Sequence, residues 1–120
     1  MNKFDLEERL VRFSVSVLKM SRMIVNTKDG NHLAGQIIRS GTSVALNYGE
    51  ALGAESRKDF IHKMKVSLKE LRETYICIKI IILGDLLKPE YNMEGLKKEN
   101  DELISIFVKS ILTAEGNMKR

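Results

Sequence analysis

The chain has 120 residues, 30% of them charged, with one proline, one cysteine and a formal net charge of +4. This length predicts a single domain, residues 1–120, that folds without disulfides or metal, and the composition excludes a disordered chain and disfavours a β-sandwich. Because Cys77 is the only cysteine and no segment has the apolar length of a membrane span, we expect a cytoplasmic protein with no membrane partner.

The first helix is predicted over residues 5–25. Its apolar residues recur at alternating steps of four and three, which is typical of one helix face: Leu6, Leu10, Phe13, Val17, Met20 and Ile24. Asp5, followed three residues later by Glu8, is the expected N-cap.

The second helix is predicted to begin between Thr27 and Asn31 and to end near Gly53. One of its faces is polar and consists of Gln36, Ser40, Ser43, Asn47 and Glu50. Its small residues would let another helix approach closely; they are Ala34, Gly35, Ser40, Gly41, Ala45 and Gly49. No face of this helix is clearly suited to solvent, so we expect a second chain to pack against it.

The third helix has the most regular pattern. Ser56 and Asp59 have the spacing of a capping box, and apolar residues then recur at steps of three and four as far as Leu83. Gly84 is the expected C′ residue.

The fourth helix is predicted over residues 92–115, with Asn100 interrupting its apolar seam. Four amphipathic segments of similar length with short connections indicate an all-α protein. We therefore predict an antiparallel, up-down-up-down, left-handed four-helix bundle.

Polar side chains on the second and third helices could meet inside this bundle. They are Gln36, Arg39, Ser43, Asn47, Glu50, Glu70 and Glu73. Such a group could bind a ligand, or it could be a structural polar network that fixes helix register or subunit contact. The structural interpretation is favoured, because buried polar residues in helical bundles are best known as specificity devices. If the Arg39 guanidinium is buried against a carboxylate such as Glu50, Glu70 or Glu73, replacing Arg39 with alanine should unfold or dissociate the protein.

No catalytic or metal-binding set is predicted, and no cofactor. Di-iron bundles require Glu-x-x-His motifs, which are absent, and His32 and His62 lie far apart in the sequence. Cys77 lies among isoleucines, where a thiol behaves as a small inert hydrophobe.

Basic residues line one face of the third helix. This basic stripe consists of Lys58, His62, Lys65, Lys69, Arg72 and Lys79. It is either a solvated surface that keeps the protein soluble or the electrostatic footprint of a nucleic-acid-binding protein. Binding of the second kind would use phosphate contacts with little sequence specificity.

Three motifs carry a family resemblance. They are Leu33-x-x-Gln36-x-x-Arg39-x-x-x-Ser43-x-x-x-Asn47-x-x-Glu50, Ser56-x-x-Asp59-Phe60, and Ser67-Leu68-x-Glu70-Leu71-x-Glu73-Thr74. The chain resembles the four-helix-bundle proteins encoded by intervening sequences of bacterial 23S rRNA genes, also labelled S23 ribosomal proteins. The resemblance implies a ring-shaped homopentamer without established enzymatic activity. It also implies a role with nucleic acid, through similarity to the pentameric accessory protein of diversity-generating retroelements.

We therefore expect a non-enzymatic, basic homo-oligomer that binds RNA or DNA. The alternative is a protein-interaction adaptor or scaffold, for example for a reverse transcriptase or another nucleic-acid enzyme.

Overall fold

Four long helices make up the computed structural model, which describes residues 1–119. The helices are α1 (Lys3–Ser21), α2 (Lys28–Leu52), α3 (Arg57–Leu83) and α4 (Glu94–Lys119). They form an elongated bundle of 52 × 21 × 21 Å. The prediction of an all-α four-helix bundle is confirmed.

The predicted boundaries of α1 are wrong at both ends. Asn2, not Asp5, is the N-cap: its side chain accepts hydrogen bonds from the backbone of Phe4 and Asp5, and Asp5 completes a capping box. The helix ends at Ser21 rather than at residue 25. The residues beyond it pair with the α3–α4 connection instead, because the Val25 N–H donates to the Leu86 carbonyl at 2.8 Å.

The predicted starts of α2 and α3 are confirmed by their caps. The Thr27 hydroxyl accepts a hydrogen bond from the Gly30 N–H at 3.1 Å, and the Ser56 hydroxyl accepts one from the Asp59 N–H at 3.0 Å. Each hydroxyl satisfies a backbone donor that has no partner within the helix.

The end of α3 differs in detail from the prediction. Gly84 caps the helix with φ −80°, and the left-handed residue is Asp85, with φ 55°. Glycine at position 84 is instead required by space, since a Cβ there would lie 2.8 Å from the Ile80 carbonyl oxygen.

Helix α4 begins two residues later and ends four residues later than predicted. The later start agrees with the side chain of Asn92, whose Oδ1 accepts a hydrogen bond from the Glu94 N–H at 3.2 Å.

Helices that are neighbours in sequence pack together, most extensively α2 on α3, and α1 packs least on α4. A buried side chain joins each sequential pair to a backbone carbonyl. The hydroxyls of Ser14 and Ser67 donate to Gly41 at 3.0 Å and Val44 at 3.1 Å, and the Asn100 amide donates to Leu71 at 3.0 Å. Asn100 is therefore buried within the seam with its amide N–H bonded to α3, while its Oδ1 has no hydrogen-bond partner among the described residues.

The α1–α4 pair is joined differently, by an ion-pair cluster at Arg9. Its Nε and Nη2 lie 2.7 and 2.6 Å from the two carboxylate oxygens of Glu99, and Nη2 also lies 2.8 Å from Glu102. The hydrogen bonds to Glu99 raise the pKa of Arg9. A charge-assisted, bidentate hydrogen bond thus links α1 to α4, the two helices with the least extensive packing.

Candidate nucleic-acid interface

The basic stripe lies on the outer face of α3. Its six members are all exposed, whereas Met64, Leu71 and Ile78, on the opposite face, are buried. The stripe extends over 22 residues of helix, from Lys58 to Lys79, a rise of about 31 Å.

Only part of the stripe is available for an anionic ligand. The Lys65 ammonium lies 3.2 Å from the Glu115 carboxylate, and Lys79 lies over the Tyr75 ring, 5.9 Å from its centroid. Among the described residues, no carboxylate oxygen lies within 4.0 Å of Lys58, Lys69 or Arg72. These three cations are the ones best placed to contact phosphate.

The same face of α3 becomes apolar in its last two turns. Ile76, Ile80 and Leu83 are exposed there, Leu83 by 85%. The sequence interpretation treated Ile76 and Ile80 only as the apolar surroundings of Cys77. Cys77 is buried, and burial raises the pKa of its thiol, which makes it a poor nucleophile. Ile76 and Ile80 follow Arg72 by four and eight residues, and this helical spacing indicates that both isoleucines lie on the same face as the basic stripe.

The structure brings Arg39, Glu70 and Glu73 together between α2 and α3. Arg39 Nη1 lies 3.1 Å from Glu70 Oε2, and Nη2 forms an ion pair with Glu73. Glu50 is not part of this group, because it faces Lys63 at 3.6 Å. The condition that Arg39 is buried is not met, since its side chain is 49% exposed.

The other polar residues of α2 bond locally. Ser43 donates to the Arg39 carbonyl at 2.7 Å, Asn47 donates to the Ser43 carbonyl at 2.9 Å, and Gln36 is exposed. Ser40, in contrast, contacts α3, and the sequence patterns did not predict its partner. The Thr74 hydroxyl donates a hydrogen bond to the Ser40 hydroxyl at 2.8 Å, and both residues are fully buried. Thr74 lies four residues after Glu70, and this helical spacing could have indicated it.

One side of α2 is left uncovered by the other helices of the chain. Ile38 and Leu46 are exposed, and a Cβ added at Gly35 or Gly49 would meet no atom within 4 Å. Gly41, in contrast, serves packing within the chain, because it lies against Val17 of α1.

Replacing Arg39 with alanine is expected to lower the free energy of unfolding by about 1–2 kcal/mol. Breaking a buried ion pair typically costs roughly 3–5 kcal/mol, and the loss here is smaller because Arg39 is half-exposed. The loss is larger than for a surface pair, because the nearly buried Glu70 would be left beside Glu73 without the guanidinium that now contacts both carboxylates. Urea denaturation measures the change. The control, Arg12→Ala, breaks the exposed pair of Arg12 with Glu8 and should change stability by less than about 0.5 kcal/mol. A wild-type curve for Arg39→Ala would favour a ligand-binding role for this residue.

No group of three or more histidine, cysteine, aspartate or glutamate side chains within residues 1–119 is arranged to hold a metal ion. None of the described helices is both long and apolar enough to cross a membrane.

Comparison with known proteins identifies the family. The 23S rRNA-intervening sequence protein family matches residues 2–109. A crystal structure of a protein of unknown function from the S23 ribosomal protein family of Bacteroides thetaiotaomicron is similar, with a TM-score of 0.82 and 29% identity over 92% of this chain and 98% of that one. A search of curated proteins found no match. With nearly the whole chain matched and the same four-helix architecture, this protein belongs to the 23S rRNA-intervening sequence protein family.

Proposed function

We propose that this chain is a non-enzymatic scaffold of the cytoplasm that assembles with copies of itself and binds the phosphates of RNA or DNA. The observation that supports it is the basic stripe on one face of α3. There Lys58, Lys69 and Arg72 are exposed, and no carboxylate oxygen of the described residues lies within 4.0 Å of them. A pentamer is the count implied by the family resemblance alone.

Phosphate contacts suit this surface better than base recognition does. The aromatic ring nearest the stripe, Tyr75, is half-buried and lies under Lys79, so it is poorly placed to stack on an unpaired base. Cations on a helix surface attract the nucleic-acid backbone without reading its sequence. With a charge of +4 per chain, five copies would carry 5 × 4 = 20 formal positive charges, which strengthens long-range attraction.

Self-assembly is supported by apolar side chains that the single chain leaves in water. Val11 and Val15 on α1 and Ile38 and Leu46 on α2 are exposed. Val11 and Val15 lie one turn apart on the same face of α1, and adjoining exposed apolar side chains commonly mark a contact with another protein.

The test removes three stripe lysines together. Lys58, Lys65 and Lys69 are replaced by glutamine, and binding to a generic duplex is measured by fluorescence anisotropy at several salt concentrations. All three side chains are exposed, so the fold should survive. Affinity should fall, and the salt dependence should become shallower by about 0.9 in log–log slope for each lost phosphate contact. Discrimination between sequences should hardly change.

A matched control carries the same loss of charge elsewhere. Lys88, Lys98 and Lys109 are also exposed, and replacing them with glutamine should leave most of the affinity intact. Equal losses in the two triple variants would show a response to net charge rather than to the stripe. No binding by the wild-type protein at low salt would overturn the proposal and favour the protein adaptor.

A further inference from the structure

Two helices carry the same pattern of outward-facing side chains: a charged residue followed by three apolar residues at steps of four, four and three. The α1 strip consists of Glu7, Val11, Val15 and Leu18. The α3 strip consists of Arg72, Ile76, Ile80 and Leu83. The two charged residues have opposite signs.

Both strips face solvent in the single chain. Val11 and Val15 are exposed, Leu18 is half-buried, and the three apolar residues of the α3 strip are all exposed, Ile76 by 51%. Each strip therefore leaves in water apolar surface that burial would stabilise. They lie on different helices, and α1 and α3 do not pack on each other within the chain.

The charges at the start of the strips also lack partners. Among the described residues, no oppositely charged group lies within 4.0 Å of Glu7 or of Arg72. A contact between two identical strips would give neither residue an opposite charge. A contact between unlike strips would pair them, and complementary charges of this kind select orientation and partner.

The directions of the two helices allow such a match. Two contacts fix the direction of each pair: Ser14 and Lys3 of α1 contact Gly41 and Tyr48 of α2, and Ser67 and Thr74 of α3 contact Val44 and Ser40 of α2. In both pairs the residue numbers run in opposite directions, so α1 and α3 are each antiparallel to α2 and run parallel to each other. When α1 of one copy lies parallel to α3 of another, Glu7 meets Arg72. The three apolar pairs that follow along the strips are Val11 with Ile76, Val15 with Ile80, and Leu18 with Leu83.

We infer that copies of this chain join head to tail, with the α1 strip of one copy packed against the α3 strip of the next. The inference rests on the proposed self-assembly and specifies its interface. A contact between unlike surfaces leaves one strip open at each end, so the assembly closes into a ring or extends as a filament. It uses the C-terminal half of α3, so in the assembly Arg72 pairs with Glu7 rather than with phosphate. Lys58, Lys65 and Lys69 stay outside the contact and remain available to nucleic acid.

The test blocks one strip at a time. Val15→Lys places a charge in the α1 strip, and Ile80→Lys places one in the α3 strip. Because both positions are exposed, each variant should keep the wild-type circular dichroism. Light scattering over a concentration series should find each variant monomeric. An equimolar mixture should form a one-to-one dimer, since each variant retains the strip that the other lacks.

Two further sets of variants sharpen the result. Leu112→Lys changes an α4 residue that is 63% exposed and belongs to neither strip, and it should keep the wild-type size. Glu7→Arg and Arg72→Glu should each weaken assembly, and the two together in one chain should restore it.

The outcomes separate this inference from the proposal beneath it. A monomeric wild-type protein would remove both self-assembly and the head-to-tail contact. A multimeric wild type whose blocked variants fail to combine, or in which one blocked variant remains a dimer on its own, would overturn only the head-to-tail contact. The second of these results would indicate a twofold contact between identical strips.

Discussion

Replacing Gly41 with leucine is expected to lower the free energy of unfolding by about 3 kcal/mol or more, because the side chain has no room. A Cβ at this position would lie 2.7 and 2.9 Å from the two γ-carbons of Val17, which is fully buried. Inserting carbon atoms into a packed core typically costs about 1–3 kcal/mol, and leucine adds three beyond the Cβ. Thermal or urea unfolding at fixed protein concentration measures the loss.

Alanine gives the sharper comparison. Inside a helix, glycine to alanine normally stabilises by about 0.5–1 kcal/mol. Gly41→Ala is expected to destabilise nonetheless, whereas Gly35→Ala in the same helix, where a Cβ meets no atom within 4 Å, should stabilise by about that amount. Equal stabilisation by both variants would contradict the close approach of α1 to α2.

Replacing Phe107 with alanine is expected to lower the free energy of unfolding by about 3–5 kcal/mol. The ring is completely buried and lies edge-to-face with Tyr48, with ring centroids 5.9 Å apart and planes inclined at 69°. Its removal leaves a cavity where α4 faces α2 and forfeits the aromatic contact. Chemical denaturation is the measurement.

The matched control is an aromatic residue outside the core. Phe4 is 67% exposed, so Phe4→Ala should change stability by no more than about 0.5 kcal/mol. A loss of similar size in both variants would mean that Phe107 is not at the centre of the core.

The fold follows largely from local patterns in the sequence. Apolar spacing predicted four helices, Ser56 correctly indicated where α3 begins, and α2 begins within the predicted range from Thr27 to Asn31. Helical periodicity and capping depend on residues within about one helical turn of each other, so they can be predicted from the local sequence. The end of α1 was predicted wrongly because it depends on a hydrogen bond to Leu86, more than sixty residues away.

The functional surfaces were only partly predictable. Helical spacing identified the basic stripe, because residues three or four apart share a face whatever surrounds them. Which charges remain unpaired depends on the register and rotation of neighbouring helices: Lys65 faces Glu115, Glu50 faces Lys63, and Arg39 is half-exposed rather than buried.

In the apolar C-terminal half of α3, too, the sequence predicts the helix but not which side chains are exposed. Isoleucines occupy several faces near its end, so composition alone could not distinguish those that line the core from those that face water. Packing against α2 and α4 buries Ile78 and Ile81 and leaves Ile76 and Ile80 exposed. The sequence by itself determined the helices and the charge pattern along them, whereas only the tertiary structure decided which side chains remain available to a partner, because burial is set by contacts between helices.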